Sequence, residues 1–134
     1  AFVTFDLTNV PAGAGLDTAT FTAPELQLDG TPDVSLGALS MQHVLFPSLG
    51  VEAWSAQAIS ETSVSRVLSL DNEPVLRRAD VTAMVKEDLA NREARQNRSQ
   101  MRLIYATGTN GNQVTDHVYL DKTAAKLTLR YLAE

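Results

Sequence analysis

Two carboxylates and an imidazole fall within a six-residue stretch, at Asp116, His117 and Asp121. Such donors could meet a metal ion, but zinc usually gathers three or four ligands. The chain has no cysteine and no His-x-x-x-His pair to complete such a set. Calcium asks less, because it accepts oxygen from carboxylates, amides and backbone carbonyls. Asp71-Asn72-Glu73 and Asp116 offer oxygens of that kind, without the twelve-residue spacing of an EF-hand. No cofactor is expected, and calcium is the one ion these residues could take. Paired carboxylates can hydrolyse glycosides, yet Asp71/Glu73 and Asp116/Asp121 each sit beside turn residues. No G-x-S-x-G elbow occurs, and "GTNGN" (108–112) lacks the lysine of a phosphate loop. No catalytic residue is therefore expected, and the chain reads as a non-enzyme. Binding is the better prospect. A carbohydrate site combines a planar aromatic with a few polar groups that fix orientation. Trp54 is the only tryptophan. Tyr119 lies three residues after Asp116, in the same segment as His117. The candidate ligand-binding set is Trp54, Tyr119, Asp116 and His117. Each has a plainer reading: Trp54 as core filling, His117 as a surface residue of a strand or loop.

The elements that must position these residues read mainly as strands. "AFVTFDLTNV" (1–10) alternates, with Val3, Phe5 and Leu7 on one face and Phe2 on the other. "PAGAG" (11–15) is a turn, and "LDTATFTAPELQL" (16–28) is one extended element with imperfect phase. Its Pro24 marks an edge or a bulge. "LSMQHVLF" (39–46) sets Leu39, Met41, His43 and Leu45 on one side, which makes His43 a hydrogen-bonded interior residue. "VEAWSAQAI" (51–59) reads as a further alternating strand with Trp54 opposite Val51 and Ala53. "ETSVSRVLSL" (61–70) reads as one strand with a phase shift at Val67. Arg77 and Arg78 fall in a loop ahead of a short helix near residues 81–92. Val81, Met84, Val85, Asp88 and Leu89 give that helix its stripe, and Asp80 gives it a cap. "NREARQNRSQ" (91–100) is a solvated helix end and loop, in which Asn97-Arg98-Ser99 fits a glycosylation acceptor. "MRLIYAT" (101–107) is a strand, Asn110-Gly111 signals a hairpin, "QVTDHVYLD" (113–121) is the return, and "AKLTLRYLAE" (125–134) closes the set. Seven or eight strands with one short helix predict an all-β protein, an antiparallel, jelly-roll-like β-sandwich. Residues 1–134 read as a single domain.

Charge narrows the partners. Residues 1–65 hold seven acids and no lysine or arginine, and the whole chain carries a formal charge of −5. An acidic domain does not draw nucleic acid at long range. The acidic first half could pair with another chain or a cation. No stretch approaches the roughly 18 apolar residues of a membrane span. No basic start followed by an apolar run marks a signal peptide. A chain opening on Ala1 reads as a processed product, a fragment or an expressed segment.

Four stretches carry a family resemblance: "FVTFDLTNVPAGAGLDTATF" (2–21), "SETSVSRVLSLDNEP" (60–74), "ADVTAMVKEDL" (79–89) and "KLTLRYLAE" (126–134). They resemble the DNRLRE domain family, jelly-roll sandwich modules of bacterial and archaeal surface and secreted proteins, some of them regarded as carbohydrate-binding. They cover roughly 40% of the chain. Ile59 and Arg66 stand where the family has aromatics, and its lead-in strands before Phe2 are missing. The resemblance implies a non-catalytic, secreted or cell-surface module that binds polysaccharide or adheres to a surface. The alternative is a structural subunit or spacer of a larger assembly, with another protein chain as partner. A regulatory partner of an enzyme is a third class, for which only the acidic first half speaks. On the structural reading, the edge at Phe2–Leu7, with Asp6 as its only charge, is completed in trans by a donated strand. The plainer expectation is that the C-terminal strand at 126–132 covers it.

Overall fold

Thr18, Thr20 and Thr22 alternate with Ala19, Phe21 and Ala23, and this alternation builds the longest strand of the molecule. In the computed structural model, which describes residues 1–132, it belongs to β2 (Gly15–Asp29). Its register slips once between Leu16 and Thr18 and again between Glu25 and Gln27. The first slip accounts for the imperfect phase of the sequence. The second follows Pro24, which has no N–H to give to a ladder. Ala133 and Glu134, the end of the expected closing strand, lie outside the described residues.

The chain forms two antiparallel sheets facing each other across one core, as the alternation predicts. The first sheet takes β1 (Phe2–Asp6), β7 (Arg98–Tyr105), β3 (Leu39–His43) and β4 (Ile59–Val64), in that order. The second takes β5 (Leu68–Leu70), β6 (Leu76–Asp80) and β2, with β8 (His117–Leu120) and β9 (Lys126–Leu132) following one another along the far side of β2. Leu39, Met41, Met101 and Leu103 from the first sheet meet Ala19, Phe21, Ala23 and Ala79 from the second. Helix α3 (Thr82–Ala90) packs against this core through Met84 and Val85. It is the helix expected near 81–92. The Asp80 carboxylate accepts hydrogen bonds from the backbone N–H and the hydroxyl of Thr82, which holds the first turn in place.

Five readings of the sequence are corrected. Residues 51–59 do not form a strand: Val51–Ser55 is helix α2, which begins after Gly50. The segment Val-Glu-Ala-Trp-Ser is too short to carry a period that separates helix from strand. Arg77 and Arg78 are not in a loop but within β6, where Arg77 occupies the buried face. A charge on the inward face hides the alternation. Residues 61–70 are not one strand. β4 and β5 lie in different sheets, and the break falls at the phase shift by Val67. Asn110-Gly111 turns the chain, with Gly111 at φ 74°, yet closes no hairpin, because β7 and β8 belong to opposite sheets. Finally, β9 does not cover β1. It pairs with β2, and among the described residues β1 pairs with β7 alone.

Two further short elements bear on the site. Helix α1 (Pro32–Ser35) follows the turn at Gly30. The segment from Val44 to Ala58 folds over the outer face of the first sheet, where Val44, Phe46 and Ala53 make a second small cluster with Phe2.

Candidate functional site

Two edges lie on the same side of the sandwich, β1 in one sheet and β8 with the turn that follows it in the other. Between them the sheets do not close. A cleft of about 890 Å³ opens there, with inward side chains such as Phe21, Ala23, Leu39 and Leu103 as its floor. All four candidate residues, Trp54, Asp116, His117 and Tyr119, line this one cleft. The structure thus brings together residues that are 62 positions apart in sequence, on α2 and on the segment entering β8.

Trp54 is 60% exposed, so it does not fill the core. It stands edge-on to Phe2, with ring centroids 4.8 Å apart, and Phe2 in turn meets Phe46 at 5.4 Å. Buried Arg102, on the outer face of β7, fixes the helix behind it. Its guanidinium donates to the Ala53 and Trp54 carbonyls at 3.1 and 2.8 Å and to the Gln42 side chain at 2.8 Å. Cationic donors suit the carbonyls at a helix C-terminus.

The opposite rim is built on β8. His117 and Tyr119, two positions apart, share a face of the strand. Their rings stand 5.8 Å apart in an edge arrangement, and the Tyr119 hydroxyl lies 3.4 Å from His117 Nδ1. Tyr119 is 47% exposed and His117 is exposed. Cross-strand register sets Gln27 opposite Tyr119 and Asp29 opposite His117, and the Gln27 amide donates to Asp29 at 2.6 Å. Neither residue stands out in the sequence, because strand register is not visible in a single segment. Asp116 is held by the backbone N–H of Thr31 at 2.8 Å. Gly30 makes that contact possible: it sits at φ +67°, and a Cβ there would fall 2.4 Å from Asp116 Oδ1.

Behind the floor stands a charged network that links the two sheets. Arg77, 1% exposed, donates through Nη1 and Nη2 to both oxygens of Asp33 at 2.8 and 2.7 Å, and through Nε to Glu25. The Tyr105 hydroxyl, on the other sheet, reaches Asp33 at 3.5 Å. The Arg77 hydrogen bonds hold the Asp33 carboxyl below its ordinary value. Burial first, and then the Asp33 charge, push the Tyr105 phenol up to about 12. The same ion pairs drive Arg77 further above its already high value.

A second buried network lies under α3. His43 Nε2 meets Asp88 Oδ1 at 2.9 Å and Nδ1 shares a 2.6 Å hydrogen bond with the Thr62 hydroxyl; His43 and Asp88 are both fully enclosed. The carboxylate can only accept, so Nε2 carries a proton towards it. Hydroxyl, imidazole and carboxylate in line resemble a hydrolytic relay, but here they sit inside the core, away from the cleft. His43 is the interior residue that the sequence pattern implied.

Among the described residues, no three or more His, Asp or Glu side chains gather as a metal-ion group. No helix among them is long and apolar enough to cross a membrane. Compared with known proteins, the chain matches no family model, no curated protein and no solved structure.

Proposed function

We propose that the chain is a non-catalytic binding module of secreted or cell-surface type that holds an extended carbohydrate in the cleft between β1 and β8. One observation carries this reading: two exposed aromatics, Trp54 and Tyr119, line the same cleft of about 890 Å³. That volume lies in the range of small-molecule sites. Planar rings offer apolar faces to sugar rings at little cost in side-chain entropy. His117, Asp116 and Lys122, at the same cleft, supply donors and acceptors for hydroxyls. The acceptor Asp116 is already oriented by Thr31, so ordering it on binding costs little. The resemblance to the DNRLRE domain family favours the same ligand class and the same extracellular setting.

The test follows Trp54 fluorescence, which is free of other tryptophans, during titration with a panel of neutral and acidic soluble polysaccharides. At least one member is expected to shift the emission saturably. Tyr119→Ala is expected to weaken that binding by roughly tenfold, the scale of one lost aromatic contact. An unchanged spectrum together with no retention of the protein by any polysaccharide would count against the reading.

A further inference from the structure

The free edge of β1 carries a second inference, independent of any sugar. β1 bonds to β7 through its odd residues: Ala1 exchanges both backbone hydrogen bonds with Leu103, and Leu7 N–H continues the ladder to Asn97. In an antiparallel ladder the alternate residues point the other way. The N–H and C=O groups of Phe2, Thr4 and Asp6 therefore face outward, and among the described residues no strand pairs with that side. The five-residue register is unbroken, with no bulge, proline or lysine to blunt the edge.

We propose that this edge pairs with the β1 edge of a second copy of the chain, antiparallel, about a two-fold axis beside Thr4. The sequence of β1 is self-complementary in that register. Phe2 exchanges hydrogen bonds with Asp6 of the other copy, and Thr4 with its own equivalent. Between these, Val3 lies opposite Phe5 on the inward face. Aromatic with β-branched and threonine with threonine are favourable cross-strand pairs, whereas opposed like charges are not. Asp6 is the only charge on the strand. Two-fold antiparallel pairing sets the two carboxylates at opposite ends, whereas a parallel pairing in register would stack them side by side. A two-fold contact of this kind is closed, so it stops at a dimer, and it joins the two four-stranded sheets into one.

Sedimentation equilibrium across a wide concentration range tests this, with two variants at the axis. Thr4→Pro removes an outward N–H that the fold itself does not use, and Thr4→Lys places a guard charge on each side of the axis. The wild type is expected to show a reversible monomer–dimer equilibrium. Each variant should weaken the dimer at least tenfold while keeping the wild-type circular dichroism and a cooperative melt, lowered only slightly by loss of the long 3.4 Å hydrogen bond that the Thr4 hydroxyl accepts from Gln100. Hydrogen exchange adds a local readout, in which the amides of Phe2, Thr4 and Asp6 become protected as concentration rises. A wild type that stays monomeric to millimolar concentration would overturn the proposal. So would a dimer that both folded variants retain, which would place the contact on another surface.

Discussion

Arg77 is the side chain on which the charged network behind the cleft depends. It satisfies Glu25 and Asp33 at once and leaves little else to pair them. Breaking a buried ion pair by removing one partner costs several times more than an exposed pair is worth. Arg77→Ala is expected to lower stability by about 3 kcal/mol in urea unfolding, most of it from Glu25, since Asp33 remains partly open to water. The sign of the pH dependence follows from the shifts. The folded-state value of Asp33 is depressed, so its contribution is present above the ordinary value of 3.8 and lost as pH falls through and below it. The stabilities of wild type and Asp33→Asn should converge in that acid range. Tyr105 is raised, so its contribution holds below pH 10 and is lost as pH rises towards about 12. Wild type should lose stability over that alkaline interval relative to Tyr105→Phe. His43 and Asp88 make the other buried pair. Asp88→Leu alone should cost about 3 kcal/mol by stranding an imidazole N–H. Adding His43→Leu should cost clearly less than the sum of the two single changes, which a double-mutant cycle measures directly.

At the scale of elements, strands whose inward faces are mainly apolar could be read from the sequence, although β7 begins at Arg98, inside the stretch expected as a solvated helix end and loop, with Ser99 buried. β1, β3, β7 and β9 each show the two-residue period, and α3 shows its stripe, with Val81 rather than Asp80 at the N-cap and Asp80 bonding Thr82 from one position ahead of it. The elements that escaped did so for physical reasons. β6 carries Arg77 on its inward face, and a neutralised charge looks the same in sequence as a solvated one. In α2 the exposed Val51 and the buried Ala53 invert what hydrophobicity alone implies. What decides that segment is long-range, namely the Arg102 guanidinium waiting under its last carbonyls. Arg102→Ala should therefore free α2. The expected readout is a red shift of Trp54 emission in the unliganded protein, with less effect on the midpoint of global unfolding than Arg77→Ala produces. The candidate binding residues were legible as types but not as a group. Nothing in the segments holding Trp54 and Tyr119 says that they share a cleft, and their partners Gln27 and Asp29 depend on the register of β2 with β8. The turn at Gly30 is another long-range constraint. Gly30→Ala should displace Asp116 from Thr31 and cost about 1–3 kcal/mol, with loss of the Thr31 amide protection in hydrogen exchange.

Across the whole molecule, part of the uneven charge of the sequence resolves into pairing within the chain. Acids of the first half meet arginines of the second, Glu25 and Asp33 on Arg77 and Asp17 on Arg130. The asymmetry is thus partly a record of β2 and α1 packing against β6 and β9, and less an acidic face held ready for a partner. What remains open is the side of the sandwich where β1 and β8 leave the cleft between them. The most direct test of the binding-module account is residue-by-residue mapping of ligand contact. Backbone amide spectra recorded during titration with the polysaccharide that binds tightest should show shifts concentrated at Trp54, Ile104, Thr107 and the Asp116–Tyr119 segment. Shifts confined to the outer face of the second sheet, around Arg78, Lys126 and Arg130, or no shifts with any polysaccharide, would contradict it.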